Sequence, residues 1–244
     1  MKKFFLCLVL AVVLVFSLAA CSNEAENSAA ENSSAANSAV QGAVKTGDII
    51  TLGSFEQDGD ASNGKEEIEW LVLDIKDDQA FVISKYALDC KPYHEELVEI
   101  TWENCTLRGW LNDEFYNNAF NDEEQNKIIG ATIINADNPG HGTDGGNDTE
   151  DKVFLLSLDE VNAYFSSDSE RMAVPTAYAV GNNAYQSTNC LVDGIGSTAW
   201  WLRSPASSSF WAAVVTISGG DGGSAKVDDI IYAVRPAMWI NLVK

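Results

Sequence analysis

The sequence predicts an α+β domain of about 200 residues that follows a leader and a tether. Three observations support this fold class. Two β-rich runs, at residues 67–75 and 79–86, are separated by a tight link; capping boxes begin two helices further along; and the C-terminal third places apolar runs between glycine turns. The strands and helices form separate groups, unlike the regular alternation of βα folds.

The first half of the domain should begin with strands and continue into a helix. A strand at residues 47–55 precedes a hairpin whose turn is Lys76-Asp77-Asp78. Residues 106–120 then carry apolar side chains at helical spacing, so one face of a helix should pack on the core.

Two further helices have clear N-terminal signals. Capping boxes are formed by Asn121 with Glu124 and by Ser157 with Glu160. Between these helices, the apolar runs at residues 131–134 and 152–157 predict two strands.

The C-terminal third reads as a loop followed by antiparallel strands. Residues 175–193 are loop-like, and they precede three apolar runs separated by turns, of which GGDGG is the most obvious. The predicted strands lie at residues 200–204, 210–218 and 230–240, and they should close one sheet.

The N-terminus resembles a bacterial lipoprotein signal over residues 1–20. Lys2 and Lys3 precede an apolar run that is shorter than the ~20 residues of a membrane-spanning helix. The tetrad Leu-Ala-Ala-Cys then places Cys21 where the lipid-modified cysteine of a lipobox stands. We expect cleavage before Cys21 and anchoring at the extracytoplasmic face of a bacterial membrane; the alternative is an ordinary secreted protein cut nearby.

The segment at residues 21–44 should be a disordered tether, because it is rich in Ser, Asn, Ala and Glu and has no aromatic residue. The folded domain would then occupy residues 45–244, which contain all seven tryptophans. The chain has a net charge of −21, and loss of Lys2 and Lys3 with the leader would make it more negative still. This charge argues against nucleic acid as a partner, because phosphate recognition needs clustered Lys and Arg.

The domain contains three cysteines, Cys90, Cys105 and Cys190. In an exported protein this number permits one disulfide and one thiol, or three thiols, and the spacing does not choose. The glycine-rich loop at residues 136–152 is the one candidate metal site, for calcium, because calcium prefers many oxygen ligands from a flexible acidic segment. Its candidate ligands are Asp144, Asn147, Asp148 and Asp151. The alternative is that these side chains only cap turns.

The sequence nominates no catalytic residue. It has no Gly-x-Ser-x-Gly nucleophile motif and no glycine-rich phosphate loop placed between a strand and a helix. A carboxylate pair for glycoside hydrolysis stays open, because two suitably placed acids would suffice. A two-lobed solute receptor is disfavoured by the size of the domain and the absence of a βα pattern.

Six motifs in order resemble a domain of unknown function that is common in exported, often lipid-anchored, bacterial proteins: GDIITLGSF, EIEWLVLDI, TWENCTLRGWLNDEF, GGNDTEDKVFLLSLDE, WWLRSP and VRPAMWI. This family is distantly similar to the C-type-lectin-like fold of formylglycine-generating enzymes and of the variable proteins of diversity-generating retroelements. The resemblance implies a curled antiparallel sheet with a few short helices. It does not imply the oxidase activity, because no cysteine follows Cys190, and the mannose-binding triplets of animal lectins are absent.

The resemblance also implies roles for residues of the last two motifs. Trp200 and Trp201 would fill a core between helices and sheet, while Arg203 and Arg235 would act as structural clamps on buried carbonyls or a carboxylate. The alternative is that the two arginines bind an anion.

In the retroelement proteins, the segment corresponding to residues 207–211 presents the ligand-binding face. The candidate ligand-binding residues are therefore Ser207, Ser209, Phe210 and Trp211. A more conservative interpretation places Trp211 in the core. The sequence thus predicts a lipid-anchored binding or adhesion module for a glycan, a cell-wall polymer or an envelope protein, and the alternative is a surface enzyme such as a glycan hydrolase.

Overall fold

The computed structural model describes residues 43–242, which form two five-stranded sheets, two small hairpins and several short helices. The predicted leader at residues 1–20, Cys21 and nearly all of the tether lie outside the described residues. Within residues 43–242, no helix has the length and apolar character needed to cross a membrane. The class is α+β, as predicted.

The first sheet combines the β2–β3 hairpin with the last of the described strands. The predicted hairpin is confirmed: Lys76 pairs with Gln79 across a two-residue turn in which Asp77 has a φ of 54°. All neighbouring strands in this sheet are antiparallel. Across the sheet they are β1 (Ile49–Phe55), β2 (Glu66–Lys76), β3 (Gln79–Ser84), β14 (Ala237–Asn241) and β5 (Ile128–Ile129).

The second sheet holds the two tryptophans that follow one another in the sequence. Its central strand pairs antiparallel with one neighbour and in parallel with the other, through Trp200 and Ala233. Across the sheet the strands are β12 (Gly223–Lys226), β11 (Trp211–Val215), β10 (Trp200–Pro205), β13 (Ala233–Val234) and β4 (Asp89–Cys90).

The prediction of one continuous strand at residues 230–240 was wrong. This stretch forms β13 and β14, which belong to different sheets and are separated by Arg235 and Pro236. The segment between β3 and β4 also passes from the first sheet to the second, and it runs beside the segment that joins β13 to β14. Ser84 N donates to Pro236 O at 2.8 Å, and Leu88 N donates to Val234 O at 2.9 Å. The crossing chains satisfy each other's backbone groups, so the two sheets meet at a hydrogen-bonded corner.

The predicted helices are present, both the one predicted from apolar spacing and the two predicted from capping boxes. The helix after residue 105 comprises α1 (Thr106–Trp110), a π-helical turn (Leu111–Phe115) and α2 (Tyr116–Ala119), and it buries Leu107, Leu111 and Phe115 as its spacing predicts. Both predicted capping boxes form. They begin α3 (Asp122–Gln125) and α4 (Leu158–Tyr164).

Two local predictions in the middle of the chain were wrong. Residues 152–157 are not a strand, although β6 (Ala131–Ile133) pairs with the preceding residues as β7 (Thr149–Asp151). Phe154 forms only a single β-bridge, to Ala237 of β14. The same edge of β14 is paired with β5 from Trp239 onward, so residues after Phe154 cannot extend the pairing. The region at residues 175–193, predicted as loop, contains helix α6 (Ala177–Gly181) and strand β8 (Leu191–Val192). It is flanked by α5 (Asp168–Arg171) and by β9 (Ile195–Gly196), which pairs with β8.

Both faces of β10 are buried. Trp200 and Trp201 are fully buried although they point to opposite faces. Each indole N–H donates to a backbone carbonyl, that of Arg171 at 3.1 Å for Trp200 and that of Lys91 at 2.9 Å for Trp201. The strand therefore lies in the middle of the core, and its polar side chains must find partners there.

Candidate functional site

Arg203 joins β10 to helix α4. Its guanidinium pairs with the carboxylate of Glu160 through both terminal nitrogens, one of them at 2.9 Å, and it also donates to Leu155 O at 2.8 Å and Ile134 O at 3.2 Å. The side chain is 4% exposed, and that of Glu160 is 28% exposed. Arg203 thus has the contacts of a clamp with a matched counter-charge.

Arg235 lies at the corner between the sheets and has no carboxylate partner among the described residues. Its Nε donates to Ser84 O at 2.9 Å, and its guanidinium lies 5.1 Å from the ring centre of Trp200 and 5.6 Å from that of Phe165. One terminal nitrogen, Nη1, finds no acceptor in the described chain. Burial lowers the pKa of Arg235 to about 10, so the group is still charged at neutral pH.

The four candidate calcium ligands have separate hydrogen-bonding roles. Asp144 accepts from Gly146 N at 2.9 Å, Asp148 accepts from Asn135 N at 3.0 Å, and Asn147 donates to the carboxylate of Glu103. Asp151 is buried in an ion pair with Arg108, 2.7 Å from its Nε, and also accepts from Trp102 and Thr149. The loop is thus held by its own side chains, and calcium binding there stays a prediction.

Within the described residues, one group of three acidic side chains is close enough to share a metal ion, and it lies where the β1–β2 connection meets the start of β2. Glu56, Asp58 and Glu66 have carboxylate oxygens within 4.8 Å of one another. Each of them already accepts a backbone N–H group at 2.7 Å, Glu56 from Gly59, Glu66 from Gln57 and Asp58 from Asp60. These hydrogen bonds account for the cluster as part of a turn.

The predicted ligand-binding segment lies at the surface between β10 and β11. Ser207 and Phe210 are exposed, the latter by 38%, and Ser209 is half-buried. Trp211 is half-buried and lies outside the core cluster and the side chains packed against it, so its interpretation as a core residue was wrong. Ser209 and Asp144 line the same cavity of about 320 Å³, which brings together one residue from each predicted site.

Ser207 opens onto a groove with a volume of about 510 Å³. The groove lies between α4, the β11–β12 hairpin, the end of β10 and the loop at residues 138–141. Polar and small side chains form most of its wall. The wall includes His141, Leu158, Asp159, Asn162, Asp221 and Ser224.

Hydrogen bonds fix two walls of this groove. Asn162 on α4 donates to Asp221 Oδ2 at 2.7 Å, which ties the helix to the turn of the β11–β12 hairpin. Buried Asn138 donates to Pro205 O at 2.8 Å and accepts from the backbone N–H groups of Gly140 and His141. The exposed Asp159 makes no hydrogen bond to the described residues and is free to meet a ligand.

A smaller cavity of about 190 Å³ adjoins the groove. Both are lined by Pro139, Leu158 and Asp159, and the smaller one reaches Arg203 and Glu160. The arginine clamp therefore also forms part of the wall of a surface cavity.

Sequence reasoning found only Ser207 among the groove residues. The others come from four separate segments, which only the fold brings together. The capping box at Ser157 did carry a usable signal, because it places Asp159 and Asn162 at successive turns of one short helix.

The three cysteines within residues 43–242 are free thiols. Burial raises the pKa of both Cys90 and Cys105 to about 12, so neither is a thiolate at neutral pH. Cys190 is half-buried. None of the three lines a cavity named above.

No curated protein and no solved structure matches the chain. The family described as "Domain of unknown function (DUF6273)" matches residues 77–242. That range covers both cavities, the crossing corner and most of the two sheets. Since the match extends over more than half of the chain, the protein belongs to this domain family of unknown function.

Proposed function

We propose that the protein is a lipid-anchored, extracytoplasmic binding module whose groove holds a glycan or cell-wall polymer. The observation that carries this proposal is the open groove of about 510 Å³ with its polar wall. Hydroxyl, amide and carboxylate groups from Ser207, Ser224, Asn162 and Asp159 can exchange hydrogen bonds with sugar hydroxyls. Leu158 supplies an apolar surface beside them.

A lectin-like fold would agree with this use of the groove. In that relationship, the segment after β10 belongs to the ligand-binding face, and Ser207 is the residue of that segment that reaches the groove. Phe210, three residues further along the chain, is exposed and would offer an aromatic surface for another unit of the polymer.

A steric block tests the groove directly. Gly222 lies in the groove wall, and a Cβ placed there meets no atom within 4 Å, so Gly222→Tyr should fill the groove without straining the fold. Gly130→Tyr is the matched control, because its Cβ is equally free and the residue is not in the groove wall. Binding to an array of glycans and peptidoglycan fragments should fall at least about tenfold for the first variant only.

Equal binding by both tyrosine variants would contradict a role for the groove. The array should be measured with calcium and then with a chelator. A loss of binding with the chelator would show that glycan binding requires calcium, and Asp144 and Asp148 would be the next positions to change. Binding that is the same in both conditions would remove calcium from the proposal.

A glycan hydrolase is the second candidate, because two carboxylates, Asp159 and Asp221, line the same groove. Incubation of the protein with the bound polymer, followed by mass spectrometry, separates the candidates. Release of shorter oligosaccharides that stops in Asp159→Asn would establish hydrolysis. A polymer that stays intact after prolonged incubation would contradict hydrolysis and favour the binding module.

The membrane anchor has its own test. Cys21→Ser should move the protein from the membrane fraction to the soluble fraction of the producing cells, because the lipid would have no attachment site. Cys190→Ser is the control, since Cys190 lies in the folded domain. Retention of the Cys21 variant in the membrane would contradict lipid anchoring.

A further inference from the structure

We infer that two copies of this chain associate through an apolar surface, with one face of the β8–β9 hairpin of each copy lying over an apolar cavity of the other. This inference goes beyond the proposed function, because it assigns a partner to a different surface of the domain and does not depend on what the groove binds.

The surface is built largely from a segment that has almost no charge. Residues 172–202 contain one charged side chain, that of Asp193, although 21% of the whole chain is charged. The centres of protein–protein interfaces are depleted of charged residues in the same way. On a chain with a net charge of −21, a surface so free of charge is typical of a contact area.

Five large apolar side chains of this surface are exposed within the described structure, each by 48% to 56%. They form what we call the apolar patch: Tyr185, Leu191, Ile195, Ile230 and Ile231. Half of the surface of five such side chains is on the order of 500 Å², a size at which an apolar patch on a single chain is often functional.

An apolar cavity of about 400 Å³ opens within the patch. Tyr185 and Ile231 both line it, and the backbone N–H of Tyr185 donates to Ile231 O at 3.2 Å, which holds these two segments together. Val214 and Ile217 are also in the wall, and none of the described residues that line the cavity is charged. Aliphatic side chains of a partner therefore suit the chemistry of this cavity.

The β8–β9 hairpin carries such side chains. Its two-residue turn has positive φ at Asp193 (50°) and Gly194 (83°), as a type I′ turn requires. Val192 and Ile195 are directly paired and share one face, and Leu191 lies on the other face. A two-stranded hairpin has little stability of its own. Exposed aliphatic side chains on both faces therefore favour a hairpin that packs against a partner.

The hairpin and the cavity are neighbours in one copy, which favours a second copy as the partner. Only Ser197 and Thr198 separate β9 from Ala199 in the cavity wall, and Ser197 Oγ donates at 2.6 Å to the carbonyl of Ile217, another wall residue. A two-fold axis beside the cavity can place each hairpin over the other copy's cavity, so that one operation covers both features. The interface would bury about 1,000 Å² in total, the lower limit for a specific complex, so the dimer should be weak.

A lipid surface suits the patch less well. Asp228 and Asp229 directly precede its two neighbouring isoleucines, and Asp193 stands at the end of the hairpin. Together with the net charge of −21, these acids would be repelled by anionic lipid headgroups. Between two copies, the same net charge opposes association at low salt, so dimerisation should strengthen as salt is added.

Sedimentation velocity of the purified full chain tests the association. We expect a monomer–dimer equilibrium with a dissociation constant of about 1–100 µM at about 0.5 M salt, and weaker association at low salt. Ile195→Lys and Ile231→Asp should each weaken dimerisation at least about tenfold, because each places a charge in the apolar contact. Ile49→Asp is the matched control, since Ile49 is 42% exposed in β1 of the first sheet, which contributes nothing to the cavity wall.

A mixture of two variants tests the placement of the hairpin on the partner's cavity. Ile195→Lys and Ile231→Asp, mixed one to one, should associate at least about tenfold more tightly than either variant associates with itself. In such a pair, one contact joins the introduced ammonium to the introduced carboxylate, and the other contact is that of the wild type. All variants share residues 1–42, so differences among them come from the domain.

Three outcomes would contradict the inference. A wild type that stays monomeric at about 500 µM in both salt conditions would overturn it, and vesicle binding by that monomer, lost in Ile231→Asp, would assign the patch to a lipid surface. Dimers that the patch variants weaken no more than Ile49→Asp does would place the interface elsewhere. A mixture that associates no better than its separate variants would overturn the hairpin-to-cavity arrangement.

Discussion

Arg203 and Arg235 follow the same sequence pattern, an aliphatic residue, an arginine and a nearby proline, yet the fold treats them differently. Arg203 has a carboxylate, two carbonyls and a cavity beside it. Arg235 has one carbonyl and two aromatic rings, and its surroundings are closed to water. One charge is therefore matched and the other is held mainly by packing.

The shared local motif therefore does not determine how the charge of its arginine is satisfied. Arg203 lies within β10, next to α4, so an acid from the capping box of that helix can reach it. Arg235 lies at the corner between the two sheets, where its contacts are the backbone carbonyl of Ser84 and the ring of Trp200. Long-range topology sets the difference, and it predicts unequal responses to the same substitution.

The largest effect is expected for Arg203→Met. Removal of the arginine leaves Glu160 and two carbonyls without their donor, so the free energy of unfolding should fall by about 3 kcal/mol or more. Urea denaturation followed by tryptophan fluorescence measures this change. Glu160→Gln keeps the capping box and should show strong coupling to Arg203→Met in a double-mutant cycle. Additive effects of the two changes would contradict the clamp.

A smaller effect is expected for Arg235→Met. Methionine fills much of the same volume and removes a desolvated charge that has no counter-charge, and this gain offsets the lost hydrogen bond to Ser84. The free energy of unfolding should change by about 1 kcal/mol or less in the same urea titration. A loss as large as that of Arg203→Met would mean that the two sites are equivalent.

The smallest effect is expected for Asp89→Asn, close to the sealed corner. Desolvation raises the pKa of Asp89 above its usual 3.8, despite hydrogen bonds from Asn182 and from the backbone of Cys90. The folded state therefore holds the proton more tightly than the unfolded state, and the wild type loses stability as pH rises from 3.8 through the raised pKa.

Asparagine has no such loss. Asp89→Asn should be more stable than the wild type at neutral pH, by less than about 1 kcal/mol, and equal to it below pH 3.8. Thermal unfolding across this pH range measures the difference. The opposite sign at neutral pH would show that the carboxylate is well solvated or well paired.

Local signals in the sequence predicted the elements whose causes are local. The β2–β3 hairpin and both capping boxes depend on residues close together in the chain, and all three were found. The error at Phe154 has a long-range cause, because its strand partner was already taken by β5. The break of the predicted strand at Arg235 also has a long-range cause. The segment between β3 and β4 is hydrogen-bonded to Val234 and Pro236, on either side of the break.

The groove was mostly beyond sequence reasoning for the same reason. Ser207 was found because it follows the most distinctive motif of the chain. Asp159, Asn162 and Asp221 carry no motif, and they become neighbours only when α4 packs near the β11–β12 hairpin. A cavity assembled from distant segments leaves no periodic or spacing signal in any one of them.

The position of β14 also has a consequence for the order of folding. This strand consists of residues 237–241, yet it lies inside the first sheet between β3 and β5. The pairing of β14 with β3 closes a loop of about 150 residues, and β5 has no other strand partner in this sheet. Completion of the first sheet should therefore be a late step, because the ends of this long loop have to meet before β14 can join β3 to β5.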